Sequence, residues 1–362
     1  MASLGLDIGG SKCRYQWWTT SDASDASDAS APDASAPDAS AGSDASGETF
    51  GAGGDAEAAQ PAVDGADAAV AAIAAAIAKA RGERGADASN PPKAIVCAVA
   101  GVGNPSLRAD VERGLRLAVP DAPLYVVGDT LAAAAAGLRE GPGLLLWSGT
   151  GSFCVARSES GELLRAGGRG YAFGDEGSGY DLVRRAIIAV LQAVDGRGPE
   201  TVLRESLTAA FGAPSAERLG AVAQSLPPRA VAAQLPVVIE AFDADDRVAT
   251  DVLIQGMHQL VQLADATARR AGLHDLLRRP TECSVAFGGG VFDNAPSLRQ
   301  GALRLLQAAF GGGAAPTDEA NGSAWSVREM PPHAAATGAA WLADGVANDL
   351  QPQQTWVHRV AL

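Results

Sequence analysis

The sequence predicts an α/β protein, and three stretches carry that expectation. Leu144-Leu145-Leu146-Trp147 breaks into Ser148-Gly149-Thr150-Gly151-Ser152. Leu124-Tyr125-Val126-Val127 delivers Gly128-Asp129-Thr130 and then an alanine run, Leu131 to Gly137. Ser284-Val285-Ala286-Phe287 leads into Gly288-Gly289-Gly290 and a further helical pattern. Each is a short continuous apolar run, as a fully buried strand requires, and the glycines admit positive φ and the close approach of a ligand. A chain of 362 residues can bury a core large enough for two such domains.

Composition excludes several classes of function. The net charge is −14 and Lys and Arg form no stripe, so neither nucleic acid nor an anionic membrane is an expected partner. No run approaches the roughly eighteen apolar residues of a membrane span. The first strand begins at Leu4 without a charged-then-apolar leader, so the chain reads as cytoplasmic. Cys13, Cys97, Cys154 and Cys283 lie far apart, each in an expected strand, and read as buried thiols in a reducing compartment. No Cys-x-x-Cys or histidine-rich spacing suggests zinc.

In chain order, Leu4 to Tyr15 alternates on either side of Gly9-Gly10-Ser11 and predicts a hairpin. Asp7 stands beside this phosphate-sized turn, where it suits a hydrated Mg²⁺ on a nucleotide or simply accepts turn hydrogen bonds. From 20 to 46 the chain becomes a Ser-Asp-Ala repeat with Pro32 and Pro37, holding no aromatic or large aliphatic residue. Such a segment cannot offset its ordering entropy, and a disordered surface insertion at a hairpin tip is expected. Val70, Ile73 and Ile77 mark a helix face, Lys93 to Val99 a buried strand, and Ser106 to Leu117 another helix. Asp129 falls at the carboxyl end of a strand, the place of a general base or of a helix N-cap.

Gly149-Thr150-Gly151-Ser152 reads as a phosphate cradle or as a plain hairpin turn. After it come Gly167-Gly168-Arg169-Gly170 and Gly174-Asp175-Glu176-Gly177-Ser178-Gly179, two carboxylates in a glycine-rich loop. A helical stripe follows (Leu182, Val183, Ala186, Ile187, Val190), and Leu253, Met257, Leu260 and Ala264 mark a second. The triple glycine at 288–290 gives a flat nucleoside a backbone surface. Trp325 falls in an expected strand, and Ala334 to Ala343 in a closing helix.

Together, the DIGGSK hairpin, the Gly128-Asp129 strand end, SGTGS and FGGG resemble the sugar kinase, heat-shock chaperone and actin superfamily. More narrowly, GTGS followed by GGRG and GDEGSGY resembles the N-acetylglucosamine kinase and bacterial glucosamine kinase branch, grouped with the BadF/BadG/BcrA/BcrD ATPases. The resemblance implies two ribonuclease H-like, actin-like ATPase domains with a nucleotide cleft between them. It places one domain at 1–128, rejoined by a closing helix at about 332–345, and the other at 129–331. It implies ATP, Mg²⁺ and phosphorylation of the 6-hydroxyl of N-acetylglucosamine or glucosamine.

Carried onto this sequence, the resemblance gives Asp7 the Mg²⁺ through water, and Gly9, Gly10, Ser11 and Lys12 the terminal phosphates. Asp129 is the expected base. Gly149, Thr150 and Gly151 form a second phosphate loop with Ser152 near the sugar, while Gly167, Gly168, Arg169 and Asp175 hold the sugar. Gly288, Gly289 and Gly290 face the adenosine. A homodimer is common among relatives, although nothing in the sequence shows one.

Two positions depart from the pattern. The family's sugar-contacting asparagine should fall in a loop near Gly51–Asp55, where Asp55 is the substitute, and Arg169 stands where relatives can carry tryptophan. The resemblance leaves two alternatives: an ATPase that activates a radical dehydratase, which needs thiolates for an iron–sulfur cluster, and a non-catalytic sugar sensor, against which Asp129 argues.

Overall fold

Leu4, Leu6 and Ile8 alternate with Gly5 and Asp7 along the first strand, and that alternation sets the two faces of the first sheet. The leucines and Ile8 join Ile73, Ile77, Val111 and Leu115 in a buried cluster beneath helices Ala66–Gly82 and Pro105–Ala118. On the other face, a side chain at Gly5 would collide with the backbone of Ala336 and Ala340 in the closing helix, Ala334–Ala347. The computed structural model describes residues 2–9, 13–19, 49–57, 59, 61–84, 90–139, 141–277, 283–310, 326–328, 330 and 334–347. Gly10, Ser11 and Lys12, the Ser-Asp-Ala segment expected to be disordered, and Trp325 lie outside them.

The chain divides into two units, Met1–Arg139 with Met330–Leu362, and Glu140–Glu329. In the first, β1 (Ser3–Ile8), β2 (Cys13–Thr19), β3 (Thr49–Ala56), β4 (Ile95–Val99) and β5 (Leu124–Gly128) form a sheet ordered β3-β2-β1-β4-β5. β1 and β2 are antiparallel, as are β2 and β3, whereas β4 runs parallel to both β1 and β5. Helix Asp129–Gly137 falls within this unit. Its alanines leave no room to spare, since a Cβ on Gly338 of the closing helix would collide with the Ala132 carbonyl.

The second unit repeats the pattern. β6 (Gly143–Ser148), β7 (Ser152–Arg157), β8 (Leu163–Gly167), β9 (Ser284–Gly288) and β10 (Ser326–Arg328) are ordered β10-β9-β6-β7-β8. β6 to β8 form an antiparallel meander, and β9 runs parallel to β6 and β10. Both sheets are thus an antiparallel triplet extended by two parallel strands on the first strand's free edge, the duplicated ribonuclease H-like arrangement. Leu144, Leu146, Leu182, Met257 and Leu260 lie in one core with helices Gly179–Val194 and Arg247–Arg270. No described helix is long and apolar enough to cross a membrane.

Two strands differ from the expectation. Thr49–Ala56 is a strand where the resemblance placed a loop, because Gly53 and Gly54 lie flat against β2. A Cβ on Gly53 would stand 2.8 Å from the Tyr15 carbonyl, and one on Gly54 would collide with the Tyr15 hydroxyl. Leu163–Gly167 completes the second meander although its side chains are only half-buried, so no continuous apolar run marks it.

Candidate functional site

The first unit gathers carboxylates at its strand ends. Asp7 is the penultimate residue of β1, in register with Arg14 on β2 and Ala98 on β4. Asp129 opens the helix after β5, two strands along the same sheet. Asp7 is half-buried, and its carboxyl is pushed up to about 6, first by burial and next by the negative charge of Asp129, against the pull of Arg14. Gly128, not Asp129, occupies the N-cap position. Asp129 Oδ1 accepts a hydrogen bond from the Thr130 amide at 2.8 Å, which fixes its rotamer at the helix start.

Asp55 lies on β3 opposite Arg14, and Arg14 Nε stands 3.4 Å from its Oδ1 in an exposed ion pair. Lys79 Nζ donates to the Asp55 carbonyl at 2.6 Å. The residue expected in a sugar-binding loop is therefore held in a strand, where its carboxylate already faces a cation.

Asp7 and Asp129 provide an electrostatic reason to receive a divalent cation, because two carboxylates that repel each other favour one. Among the described residues no group of three or more His, Cys, Asp or Glu side chains could encase a metal ion. Mg²⁺ retains several waters and takes one or two carboxylates together with phosphate oxygens, so the pair fits a nucleotide-borne Mg²⁺ better than a resident metal.

The second unit gathers glycines. Its hairpin loop, Gly149 to Gly151, is closed by the Gly149 amide donating to the Gly151 carbonyl at 2.9 Å. The Gly149 carbonyl accepts from the Gly179 amide at 2.8 Å, which fastens the loop to the start of helix Gly179–Val194. Gly289 has φ +94°, and a Cβ there would lie 2.5 Å from the Ser148 carbonyl. Only glycine permits both the conformation and the approach. Three glycine motifs far apart in sequence thus meet: 149–151, 177–179 and 288–290.

Two serines brace this assembly. Ser148 Oγ donates to the Gly177 carbonyl at 2.9 Å, and Ser152 Oγ to the Glu176 carbonyl at 2.8 Å. The Ser152 hydroxyl, expected near the sugar, is buried and engaged in holding the adjoining loop. Ser178 caps the following helix by accepting from the Asp181 amide at 3.2 Å, while Asp181 Oδ2 accepts from the Gly177 amide at 2.9 Å.

Asp175 is the one buried acid of this loop, 8% exposed, with its backbone at φ +58°. A non-glycine residue in that region is uncommon and strained. Its Oδ1 accepts from the Gly170 amide at 3.3 Å, and a Cβ on Gly151 would approach its Oδ2 to 2.8 Å. Burial raises its carboxyl, while backbone hydrogen bonds from Gly170 and Ser152 and the charge of Arg165 pull it down. A carboxylate that can ionise or share a proton, held against a glycine loop, can accept hydrogen bonds from ligand hydroxyls.

Gly167 and Gly168 both have positive φ, and Arg165 donates to the Gly168 carbonyl at 2.8 Å. Arg169 is exposed, and Gly174 packs against its Cβ. Sequence reasoning missed Arg165 and the bracing by Ser148, because neither residue carries a spacing signal. Trp147 stacks on Phe153 with ring centroids 5.7 Å apart, and Arg165 lies 5.6 Å over the same Phe153 ring.

All four cysteines are free and buried. Burial pushes the Cys154 and Cys283 thiols up to about 12, and Cys13 reaches about 12 with the help of Asp7 and Asp55.

The profile of the BadF/BadG/BcrA/BcrD ATPase family matches residues 4–343. Over 110 residues, 30% of this chain, the sequence is 38% identical to the N-acetylmuramic acid/N-acetylglucosamine kinase of Clostridium acetobutylicum, and the matched stretch spans 36% of that kinase. Two solved structures share the fold. One is a candidate N-acetylglucosamine kinase from Chromobacterium violaceum, 23% identical, covering 93% of this chain and 97% of the other with a TM-score of 0.58. The second, a candidate N-acetylglucosamine kinase from Porphyromonas gingivalis, is 18% identical over 93% and 98% of the two chains with a TM-score of 0.61.

Proposed function

Because the chain belongs to the BadF/BadG/BcrA/BcrD ATPase family, we propose that it is an ATP-dependent amino-sugar kinase acting on the 6-hydroxyl of N-acetylglucosamine or glucosamine. The local identity to the Clostridium kinase adds N-acetylmuramic acid to the candidate acceptors. The single observation that carries the proposal is the electrostatically coupled pair Asp7, near the end of β1, and Asp129, just after β5, two strands apart in one sheet. A base and a cation-holding carboxylate are what phosphoryl transfer to an alcohol requires beyond positioning.

Under this proposal Asp129 accepts the proton of the attacking hydroxyl as the oxygen approaches phosphorus. Asp7 holds waters of the nucleotide's Mg²⁺, and Gly9, Gly10, Ser11 and Lys12 contact the terminal phosphates. Bound Mg²⁺ would neutralise charge on the transferred phosphoryl group. Thr150 and Gly151 offer backbone amides to phosphate oxygens on the loop that the Gly149 amide closes, with Gly288, Gly289 and Gly290 against the adenosine. Asp175 accepts from sugar hydroxyls, the Gly167-Gly168-Arg169 turn borders the same ligand, and Ser152 holds the loop that carries Asp175. Asp55 is a further candidate contact if the sugar displaces Arg14 from it.

The activator alternative needs thiolates to hold an iron–sulfur cluster between subunits, whereas all four cysteines are buried within the two cores. The deciding experiment is coupled ADP release with Mg²⁺–ATP and N-acetylglucosamine, glucosamine, N-acetylmuramic acid or glucose, against a blank without sugar. Stimulation by an amino sugar far above the blank is expected, whereas equal ADP release with and without sugar would refute the kinase.

A further inference from the structure

Phe173 is 93% exposed, the most exposed of the large apolar side chains among the described residues. It does not sit on a loose segment. The turn that carries it is closed by the Phe173 amide donating to the Gly170 carbonyl at 3.2 Å. The Gly170 amide in turn donates to Asp175 Oδ1 at 3.3 Å, and Ser178 donates to the Asp175 carbonyl at 3.1 Å. Tyr171 pins the turn to helix Gly179–Val194 by an edge-on contact with Tyr180, ring centroids 5.0 Å apart. Positive φ at Gly168, Gly170, Asp175 and Gly177 fixes the path on both sides.

A benzyl group displayed to water on so constrained a turn loses the stabilisation that burial would give it. Its immediate neighbours are Ala172 and Gly174, so the apolar surface beside it is small. A stable protein interface needs on the order of 800 Å² per partner, far more than one ring and an exposed tyrosine offer. A single phenyl ring is instead about as broad as one pyranose ring. Such a ring has an apolar face of C–H bonds and a rim of hydroxyls, and this loop carries an aromatic ring two residues from a buried carboxylate.

Resting on the kinase reading above, we propose that Phe173 is a specificity-determining residue, packing its ring on the C–H face of the amino sugar whose hydroxyls Asp175 accepts. Its contribution is apolar contact made equally in the ground and transition states, so it acts on sugar affinity and not on the chemical step.

The test is steady-state kinetics of the full chain with Mg²⁺–ATP and whichever of N-acetylglucosamine, glucosamine and N-acetylmuramic acid best stimulates ADP release, for wild type, Phe173→Ala and Phe173→Trp. Phe173→Ala should raise the sugar KM about ten-fold, the size of one aromatic contact. It should leave the ATP KM, kcat and Tm unchanged, because an exposed side chain supports no packing. Phe173→Trp should restore the sugar KM. Wild-type enzyme with no sugar-dependent turnover overturns the kinase and this proposal together. If wild type turns over and Phe173→Ala keeps its sugar KM, the proposal alone is overturned. It is equally overturned if the variant changes only the ATP KM or only the sedimentation behaviour, since Phe173 would then meet the nucleotide or a second copy of the chain.

Discussion

The two sheets share one strand order, yet the ends of their strands carry opposite chemistry. In the first unit a carboxylate stands one residue before the end of β1 and another follows β5, and the Asp7 carboxyl is raised first by burial and next by the charge of Asp129. In the second, the equivalent hairpin has Trp147 and Ser148 at the end of β6, and its turn is glycine and threonine fastened by backbone hydrogen bonds. One scaffold concentrates negative charge, which under the proposed function a nucleotide's Mg²⁺ offsets; the other carries no side chains at its glycine turns, which under the same proposal leaves backbone for the ligand. The comparison teaches that duplication fixed the positions of the turns, while a few residues at those positions divided the labour.

The sharpest way to break this contrast is to neutralise charge in the first unit. Asp129→Asn should lower kcat roughly a thousand-fold, within the usual range for a lost general base, while Mg²⁺–ATP affinity by calorimetry stays within about two-fold. A variant that keeps full activity removes Asp129 from the chemistry.

Next in size is a side chain added to the second unit. Gly289→Val imposes a β-branched residue at φ +94° with its Cβ 2.5 Å from the Ser148 carbonyl. A loss of about 3 kcal/mol or more is expected from strain and collision, read as a lowered Tm together with loss of ATP binding. Wild-type thermal stability would show that the 288–290 turn is not locked against the hairpin.

Asp7→Asn should have the reverse effect on stability. The folded carboxyl titrates near 6, above its ordinary 3.8, so the native state holds a proton that the unfolded chain has already released. The contribution of Asp7 to stability is greatest below about 3.8 and is lost as pH rises through about 6. The shift sets a ceiling of about 3 kcal/mol, which solvent contact reduces to about 1–2 kcal/mol. The variant should therefore melt several degrees higher than wild type at pH 8, match it near pH 4, and turn over poorly at both. Equal melting temperatures at pH 8 would show that Asp7 bears no electrostatic strain.

The smallest effect belongs to the exposed Arg14–Asp55 pair. Arg14→Ala should change stability by less than about 1 kcal/mol, measured by urea denaturation. A larger loss would mean that the pair orders the sheet edge.

Much of this was legible in the sequence because turn chemistry is local. The apolar runs before Gly128, Gly149 and Gly288 are strands, and the glycines that follow them form the turns. β3 was not legible, since Gly53 and Gly54 have low strand propensity in isolation and are required only by the Tyr15 side chain and backbone they lie against. Asp175 stood out as a carboxylate in a glycine-rich loop, but its left-handed backbone and its approach to Gly151 arise from contacts across the fold. The same holds for Ser152, whose hydroxyl turns to the Glu176 carbonyl and not outward. Phe173 reads in sequence as one more apolar residue, and only its exposure on a fixed turn singles it out.

Phosphorus NMR of the product mixture tests the central claim most directly, because it separates a kinase from an ATPase. With Mg²⁺–ATP and the amino sugar that best stimulates ADP release, the account predicts ADP and one new phosphomonoester in equal amounts, its phosphorus coupled to the two protons on the sugar's sixth carbon. Inorganic phosphate as the only partner of ADP, with or without sugar, would contradict it.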